Sequence, residues 1–136
     1  MNIGTAAQHS GVPVKTIRYY ESIGLIDAAR RTESGYRIYD IRDVETLRFI
    51  QRARSLGFSV KDVADLLALW RDKQRASGQV KALAKRHVAD IDRKIAELRA
   101  MGETLAELIE KCHGDDRPDC PILRDLAGQG GRPLQA

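Results

Sequence analysis

The sequence lacks the features that mark membrane and secreted proteins. No apolar run reaches the roughly 20 residues that span a bilayer. The first residues, MNIGTAAQHSG, have no basic flank followed by an apolar core, as a signal peptide would. Only two cysteines occur among 136 residues. We therefore expect a cytoplasmic protein with reduced thiols, no structural disulfide and no membrane partner.

Enzyme patterns are also missing. We find neither a paired nucleophile and base nor a glycine-rich nucleotide loop, so we expect no catalytic activity. The composition, 43% hydrophobic and 31% charged, suits a folded chain. Residues 1–75 carry 13 Lys and Arg against 9 Asp and Glu, whereas residues 76–136 carry 10 of each. The net charge of +4 thus lies in the first part, which suggests an anionic partner there.

The N-terminal segment predicts a helix-turn-helix. Residues 3–10 read as a helix that stops at Gly11, a usual residue just past a helix C-terminus. The next helix stops at Gly24, and apolar steps of three place its Tyr20 in the core. The opposite face carries Lys15, Thr16, Arg18 and Tyr19. Such a face can read the major groove and meet phosphates, the alternative being a solvated helix surface.

A small β-hairpin is predicted next, from the turn Glu33-Ser34-Gly35 and the alternation over residues 36–39. Its candidate DNA contacts are Arg31, Tyr36 and Arg37. A hairpin beside a recognition helix can touch the adjacent DNA backbone as a wing. Arg54, near the end of the following helix, would add a phosphate contact.

Two more helices complete a predicted domain over residues 1–70. Asp40 and Ser59 are their expected caps, each with an Asp three residues later. We assign Trp70 to the core because it recurs with aliphatic residues at helical spacing.

The second half predicts a hinge, a long helix and an end loop. Residues 71–79 are polar and contain the break Ser77-Gly78, so they read as a hinge. Over residues 80–111, apolar residues recur in alternating steps of four and three, the seam of a coiled coil. A stripe on so long a helix needs the same helix from a second chain, which predicts a homodimer. A loop and short helix over 112–127 and a flexible tail over 128–136 follow.

The loop CHGDDRPDC holds both cysteines, Cys112 and Cys120. Thiolates are soft ligands that suit Cu(I), Ag(I) and Au(I). Gly114 and Pro118 would let the chain fold back so that both sulfurs face one ion. Two ligands are too few for a structural zinc site. Inert cysteines and a redox-sensing thiol pair remain alternatives.

An ordered set of segments resembles the MerR family of bacterial transcription regulators. These are Asn2-Ile-Gly, Ser10-Gly-Val, Thr16-Ile-Arg-Tyr-Tyr-Glu21, Gly24-Leu, Gly35-Tyr-Arg-Ile-Tyr39 and Leu56-Gly-Phe-Ser59. The resemblance implies a mainly α fold: a winged helix-turn-helix domain, a long antiparallel coiled-coil dimerisation helix and a short C-terminal metal-binding loop. It also implies a dimer on promoter DNA that distorts an overlong spacer when inducer binds, so that RNA polymerase can open it.

By the same resemblance, the DNA contacts fall on the recognition-helix, wing and Arg54 positions given above. Pro13 departs from the family, which more often has Ser, Thr or Asn there, so a side-chain cap or phosphate contact is lost.

The end loop with Pro121-Ile122 resembles the copper-responsive, CueR-type branch of the family. This implies that Cys112 and Cys120 bind one Cu(I), Ag(I) or Au(I) per subunit and that the targets are copper-efflux or detoxification genes. Divalent-metal sensors of the family carry another cysteine where this chain has Ser77, so divalent ions should be poor inducers. We expect Lys81 to help offset the negative charge of the metal-bound thiolates.

Three alternatives stay open. The first is a MerR-type sensor of a different inducer, either another monovalent ion or a divalent one. The second is a sensor of thiol oxidation with the same DNA-binding domain. The third is a coiled-coil adaptor that binds a protein through residues 80–111 and no DNA. Separately, the imidazole of His113 could add a metal ligand beside Cys112.

Overall fold

The computed structural model describes residues 1–28, 30–115 and 117–128, apart from the side chain of Arg30. Its elements are α1 (Ile3–Ser10), α2 (Val14–Ser22), β1 (Arg30–Arg31), β2 (Arg37–Ile38), α3 (Ile41–Ser55), α4 (Val60–Arg71), α5 (Ser77–Lys111) and α6 (Pro121–Leu126). The chain divides into two compact units, Met1–Lys85 and a second that begins at Arg86. The predicted mainly α fold with a helix-turn-helix is confirmed.

Local signals explain how α1 and α2 begin and end. The Asn2 side chain accepts a hydrogen bond from the Thr5 N–H at 2.8 Å and so caps α1. Gly11 ends α1 with a φ of 76°, a left-handed conformation that glycine adopts without strain. Pro13 stands at the N-cap of α2 and makes no side-chain cap hydrogen bond, as its departure from the family predicts.

The core of the first unit lies among its four short helices. Its largest fully buried side chains are Tyr39, Ile17, Leu47, Ile50, Val12, Val44 and Val63. Burying an aliphatic side chain of this size is worth about 1.5–3 kcal/mol. Helix α3 begins with a capping box, because Asp40 accepts from the Asp43 N–H and Asp43 accepts from the Asp40 N–H. Ser59 caps α4 by accepting from the Asp62 N–H, as predicted.

The hairpin consists of two residues on each strand. Arg30 lies opposite Ile38 and Arg31 opposite Arg37 in an antiparallel pair. The turn is closed by the Thr32 N–H, which donates to the Tyr36 carbonyl at 2.7 Å. The Tyr36 N–H in turn donates to the Thr32 hydroxyl at 3.1 Å.

The long helix begins earlier than the sequence suggests. Helix α5 starts at Ser77 rather than at residue 80, and α4 ends at Arg71, so only residues 72–76 of the predicted hinge over 71–79 lie between helices. Ser77-Gly78 begins α5 and does not break the chain. The amides of a first helical turn have no intrahelical partner, so glycine destabilises a helix less there than in its interior. Leu83 is 9% exposed and joins the core cluster, which explains why the first compact unit extends to Lys85.

Trp70 is less buried than predicted. Its side chain is 41% exposed and stacks on Phe49, with ring centroids 4.6 Å apart and planes at 9°. It therefore packs at the edge of the core rather than inside it, because α4 ends only one residue later, at Arg71.

The second unit contains most of α5, the cysteine loop and α6. The predicted stripe on α5 is exposed in the single chain at Val88, Ile91, Ile95, Leu98, Met101, Leu105 and Ile109. Helix α6 begins with Pro121, a residue suited to a first helical turn, and ends one residue short of the expected position. Within the described ranges, no helix is long and apolar enough to cross a membrane. Of the predicted flexible tail, residues 129–136 lie outside the described residues.

Candidate DNA-binding surface and metal loop

Helix α2 exposes the predicted recognition face. Lys15 and Arg18 are exposed, Tyr19 is 53% exposed and Thr16 is half-buried. Ile17, between them in sequence, is fully buried. The 3.6-residue period thus separates a core side from a side that is basic and hydrogen-bonding.

The wing exposes two of its three predicted contacts. Tyr36 is 74% exposed at the turn. Arg31 is exposed as well, and its Nη1 donates to the Gly35 carbonyl at 3.2 Å. A bond to a neutral carbonyl orients the guanidinium without neutralising it, so Arg31 keeps a full positive charge on β1, next to the turn of the wing.

Arg37, the third predicted wing contact, is engaged inside the domain. Its Nη1 lies 2.9 Å from Oε2 of Glu21, an ion pair that lacks well-aligned hydrogen-bond geometry. The Glu21 side chain is 6% exposed and that of Arg37 is 32% exposed. The buried carboxylate of Glu21 therefore partly neutralises the charge of Arg37. This weakens the electrostatic attraction between Arg37 and a DNA phosphate.

Glu21 has a second partner in Tyr39. The Tyr39 hydroxyl donates a hydrogen bond to Oε1 of Glu21. Burial and this hydrogen bond raise the pKa of Tyr39 to about 12. Sequence reasoning gave neither residue a functional role. The available signal was that Glu21 is the sole acidic residue on an otherwise basic and neutral α2.

Arg54 is exposed near the end of α3, and its Nη1 donates to the Phe58 carbonyl at 2.6 Å. This bond spans the turn between α3 and α4. It leaves the charge of Arg54 intact, so a phosphate contact remains a prediction that the geometry permits.

In the second unit, the loop brings the two sulfurs together. Sγ of Cys112 lies 4.0 Å from Sγ of Cys120, and both residues are half-buried. A disulfide bond would need about 2.05 Å. Two metal–sulfur bonds of about 2.3 Å can bridge sulfurs up to about 4.6 Å apart. The pair therefore fits a single thiophilic ion held between two thiols.

The start of α6 makes one thiol more acidic. Cys120 is the N-cap residue of α6. Its pKa is lowered chiefly by the backbone N–H of Leu123, then by that of Ile122 and by the Cys112 thiol. The sulfur makes no cap hydrogen bond of standard geometry. The effect is thus that of nearby N–H dipoles, and it favours the thiolate, the form that binds metal.

One acidic residue of the loop, Asp115, is paired with Arg117. Arg117 binds Asp115 through its guanidinium, with Nη2 2.8 Å from Oδ2, and through its backbone N–H. This contact lowers the pKa of Asp115 and occupies the carboxylate. Across the described parts of the chain, no group of three or more His, Cys, Asp or Glu side chains could hold a metal. His113 is exposed beside Cys112.

The two predicted selectivity residues lie near the start of α5. Ser77 is its first residue, Lys81 follows one turn later, and both are exposed. They belong to the first compact unit, whereas the cysteines belong to the second. Their influence on the metal therefore stays a prediction.

Comparison with known proteins agrees with this arrangement. The family model described as MerR HTH family regulatory protein matches residues 1–70, and the one described as MerR, DNA binding, matches residues 44–108. The chain is 60% identical over 127 residues to heavy metal-dependent transcription regulator 2 of Rhizobium meliloti, covering 93% of this chain and 86% of the relative. It is 40% identical over 128 residues to the transcriptional regulator CueR of Salmonella typhimurium, covering 94% and 93%.

Among solved structures, the chain resembles the transcription regulator PbrR691 from Ralstonia metallidurans in complex with lead(II), with a TM-score of 0.82 and 33% identity. That match covers 93% of this chain and 98% of the other. The fold and these relatives define a helix-turn-helix transcription regulator rather than an enzyme. The chain belongs to the MerR family, as its sequence motifs predict.

Proposed function

We propose that this protein is a copper-responsive transcription activator. It binds promoter DNA as a homodimer and takes up one Cu(I) per subunit between Cys112 and Cys120, with Ag(I) or Au(I) as possible substitutes. Metal binding leads it to distort the promoter spacer so that RNA polymerase, bound at the same promoter, can open copper-efflux or detoxification genes. Such a protein works in the cytoplasm.

The thiol pair is the observation that carries the metal assignment. Two sulfurs 4.0 Å apart, one with a lowered pKa, offer a site of two soft ligands. In the described residues the loop contributes no third ligand, and Asp115 is bound to Arg117. A site limited to two thiolates suits a monovalent ion, because divalent thiophilic ions usually take more ligands. The 40% identity to CueR supports the same choice.

The exposed stripe on α5 supports the dimer. Seven large apolar side chains from Val88 to Ile109 are between 38% and 65% exposed in the single chain. Successive members are three or four residues apart, the spacing that places apolar side chains along one side of a helix in a two-stranded coiled coil. We therefore expect this stripe to be buried against α5 of a second subunit.

An anaerobic titration with Cu(I) against a tight Cu(I) chelator tests the metal assignment. We expect one ion per subunit in the wild type and severe loss in Cys112→Ser and in Cys120→Ser. Residues that merely support metal ligands are worth about 10- to 100-fold in affinity, so loss of a direct thiolate should exceed about 100-fold. His113→Ala is the matched control within the loop and should retain wild-type affinity.

Binding that is indifferent to the cysteine substitutions would exclude the copper assignment. Equal losses in His113→Ala would mean that the site has an imidazole ligand. Transcription that responds to oxidant after strict removal of copper would favour a thiol redox sensor instead.

A divalent-metal sensor is the second candidate, favoured by the lead(II) complex of PbrR691, which is 33% identical. Ser77→Cys separates the two. If Ser77 excludes divalent ions by withholding a thiolate, this substitution should add a response to Hg(II), Cd(II) or Zn(II). A wild-type protein that already responds to these ions would overturn the copper preference.

A further inference from the structure

One buried carboxylate joins the recognition helix to the wing. Glu21 lies in the last turn of α2, and its side chain is 6% exposed. Its two oxygens are divided between two residues of the wing side: Oε2 pairs with Arg37 on β2, and Oε1 accepts from the hydroxyl of Tyr39 just beyond β2. We name these three residues the Glu21 bracket. An unpaired charge buried to this extent would be strongly destabilising. The folded state therefore requires Glu21 to keep its partners.

Tyr39 anchors the bracket to the body of the domain. The residue is 2% exposed. Its backbone N–H donates to the Met1 carbonyl at 2.7 Å, and the Met1 amino group donates to the Tyr39 carbonyl at 2.7 Å. Strand β2 ends one residue before this anchor. Tyr39, at the base of the hairpin, is therefore fixed by main-chain hydrogen bonds to Met1 and by the hydrogen bond of its hydroxyl to Glu21.

The tip of the wing has no comparable support in the described structure. The strands are two residues long, and the turn is held by local hydrogen bonds such as that of Arg31 to Gly35. A two-stranded hairpin of this size is marginal in water. Its direction relative to α2 must therefore come from its base, where the bracket lies.

We propose that Glu21 is a positioning residue for DNA binding. Through Arg37 and Tyr39 it fixes the wing relative to α2, so that Arg31 and the recognition face can meet the same stretch of DNA. In this role Arg37 links the Glu21 carboxylate to strand β2 through their ion pair, and it does not act as an independent phosphate ligand. This inference rests on the proposed DNA-binding function and adds a residue that does not itself touch DNA.

A double-mutant cycle between Glu21 and Arg31 tests it. DNA affinity is measured by fluorescence anisotropy on a duplex recovered by selection from random DNA, at several salt concentrations. Arg31→Ala alone should weaken binding about tenfold and flatten the dependence of log K on log salt by about 1.8, one contact per subunit of a dimer. In the Glu21→Gln background, the same substitution should cost less than about twofold, because the wing is no longer held against the DNA.

Glu33→Gln is the matched control for charge. Glu33 is exposed in the turn of the wing, so this variant removes the same charge without touching the bracket. Arg31→Ala should keep its full, roughly tenfold effect there. A merely structural role for Glu21 would lower thermal stability but leave the cost of Arg31→Ala unchanged, and that outcome overturns the inference.

Tyr39→Phe serves if Glu21→Gln does not fold. It keeps the buried ring, changes no charge and removes the hydroxyl that contacts Glu21 and Arg37. We expect a reduced cost of Arg31→Ala in this background too, and an unreduced cost contradicts the inference.

The cycle also separates this inference from the function beneath it. If Arg31→Ala is silent while Arg18→Ala weakens binding, the wing inference fails and the DNA-binding function stands. If the wild type shows no salt-dependent DNA binding, the proposed function fails and the inference with it.

Discussion

Arg18→Ala probes the recognition face most directly. Arg18 is exposed on α2, whereas its neighbour Ile17 is fully buried. Truncation at Arg18 therefore removes a cation and leaves the core contacts of the helix in place. Alanine also has the best helix propensity, so α2 should not be weakened.

The size of the effect follows from counting uncompensated cations. Four candidate cations are exposed: Lys15, Arg18, Arg31 and Arg54. Arg31 and Arg54 each donate to a carbonyl, which leaves their positive charge intact. Arg37 is not counted, because a buried carboxylate shares its charge. Four cations per subunit give about eight phosphate contacts per dimer and a slope of log K against log salt of about −7. Affinity should then fall about 10⁴-fold between about 50 and 200 mM salt.

Arg18→Ala removes two contacts per dimer and should reduce the slope to about −5.4. Fluorescence anisotropy on the selected duplex and on a scrambled one measures this. A uniform loss on both duplexes indicates a phosphate contact, whereas a loss confined to the selected duplex indicates base readout. Arg93→Ala is the control, because Arg93 pairs with Asp90 on α5 in the second unit. An Arg18→Ala slope equal to that of Arg93→Ala would refute the assignment of α2 as the recognition helix.

Three further predictions concern stability and assembly. The pKa of Tyr39 is about 12, above the ordinary 10.0, so the folded state holds the proton more tightly. Its contribution to stability is complete below pH 10 and should disappear as pH rises from 10 towards 12, which denaturation at stepped pH can follow, with a smaller decline in Tyr39→Phe. Leu47→Ala should cost about 2–5 kcal/mol in urea unfolding at fixed protein concentration, because this side chain is fully buried. The exposed Ile41→Ala should stay within about 0.5 kcal/mol. Leu98→Lys, on the exposed stripe of α5, should convert dimer to monomer in analytical ultracentrifugation, whereas Glu97→Ala should not.

Local signals in the sequence predicted the helices of the first unit well. Gly11 ends α1 in a left-handed conformation, and the Asp40–Asp43 pair forms the expected capping box. Each of these features depends on residues at most four apart, so the residue types alone specify them. The same locality explains the error at Ser77, since a Ser-Gly pair is compatible both with a break and with a helix start.

The candidate site was only partly accessible to sequence reasoning. Periodicity places Lys15 and Arg18 on one face of α2, and both are exposed. The partner of Arg37 was missed, because Glu21 lies on α2 and Arg37 on β2, and only the fold brings them together. Periodicity also put Trp70 in the core, although its position at the end of α4 leaves it 41% exposed.

By itself, the sequence determined the helical fold, the exposed basic face of α2 and the presence of two thiols in one short loop. These follow from periods, caps and residue chemistry, which are properties of the chain before it folds. The tertiary structure decided which charges remain available. It buried Glu21 and paired it with Arg37, and it set Cys112 and Cys120 4.0 Å apart, with the amides of α6 lowering the pKa of Cys120. The reason is that the burial of Glu21 and the separation of the two sulfurs depend on how the backbone is folded, and residue types alone do not set those distances.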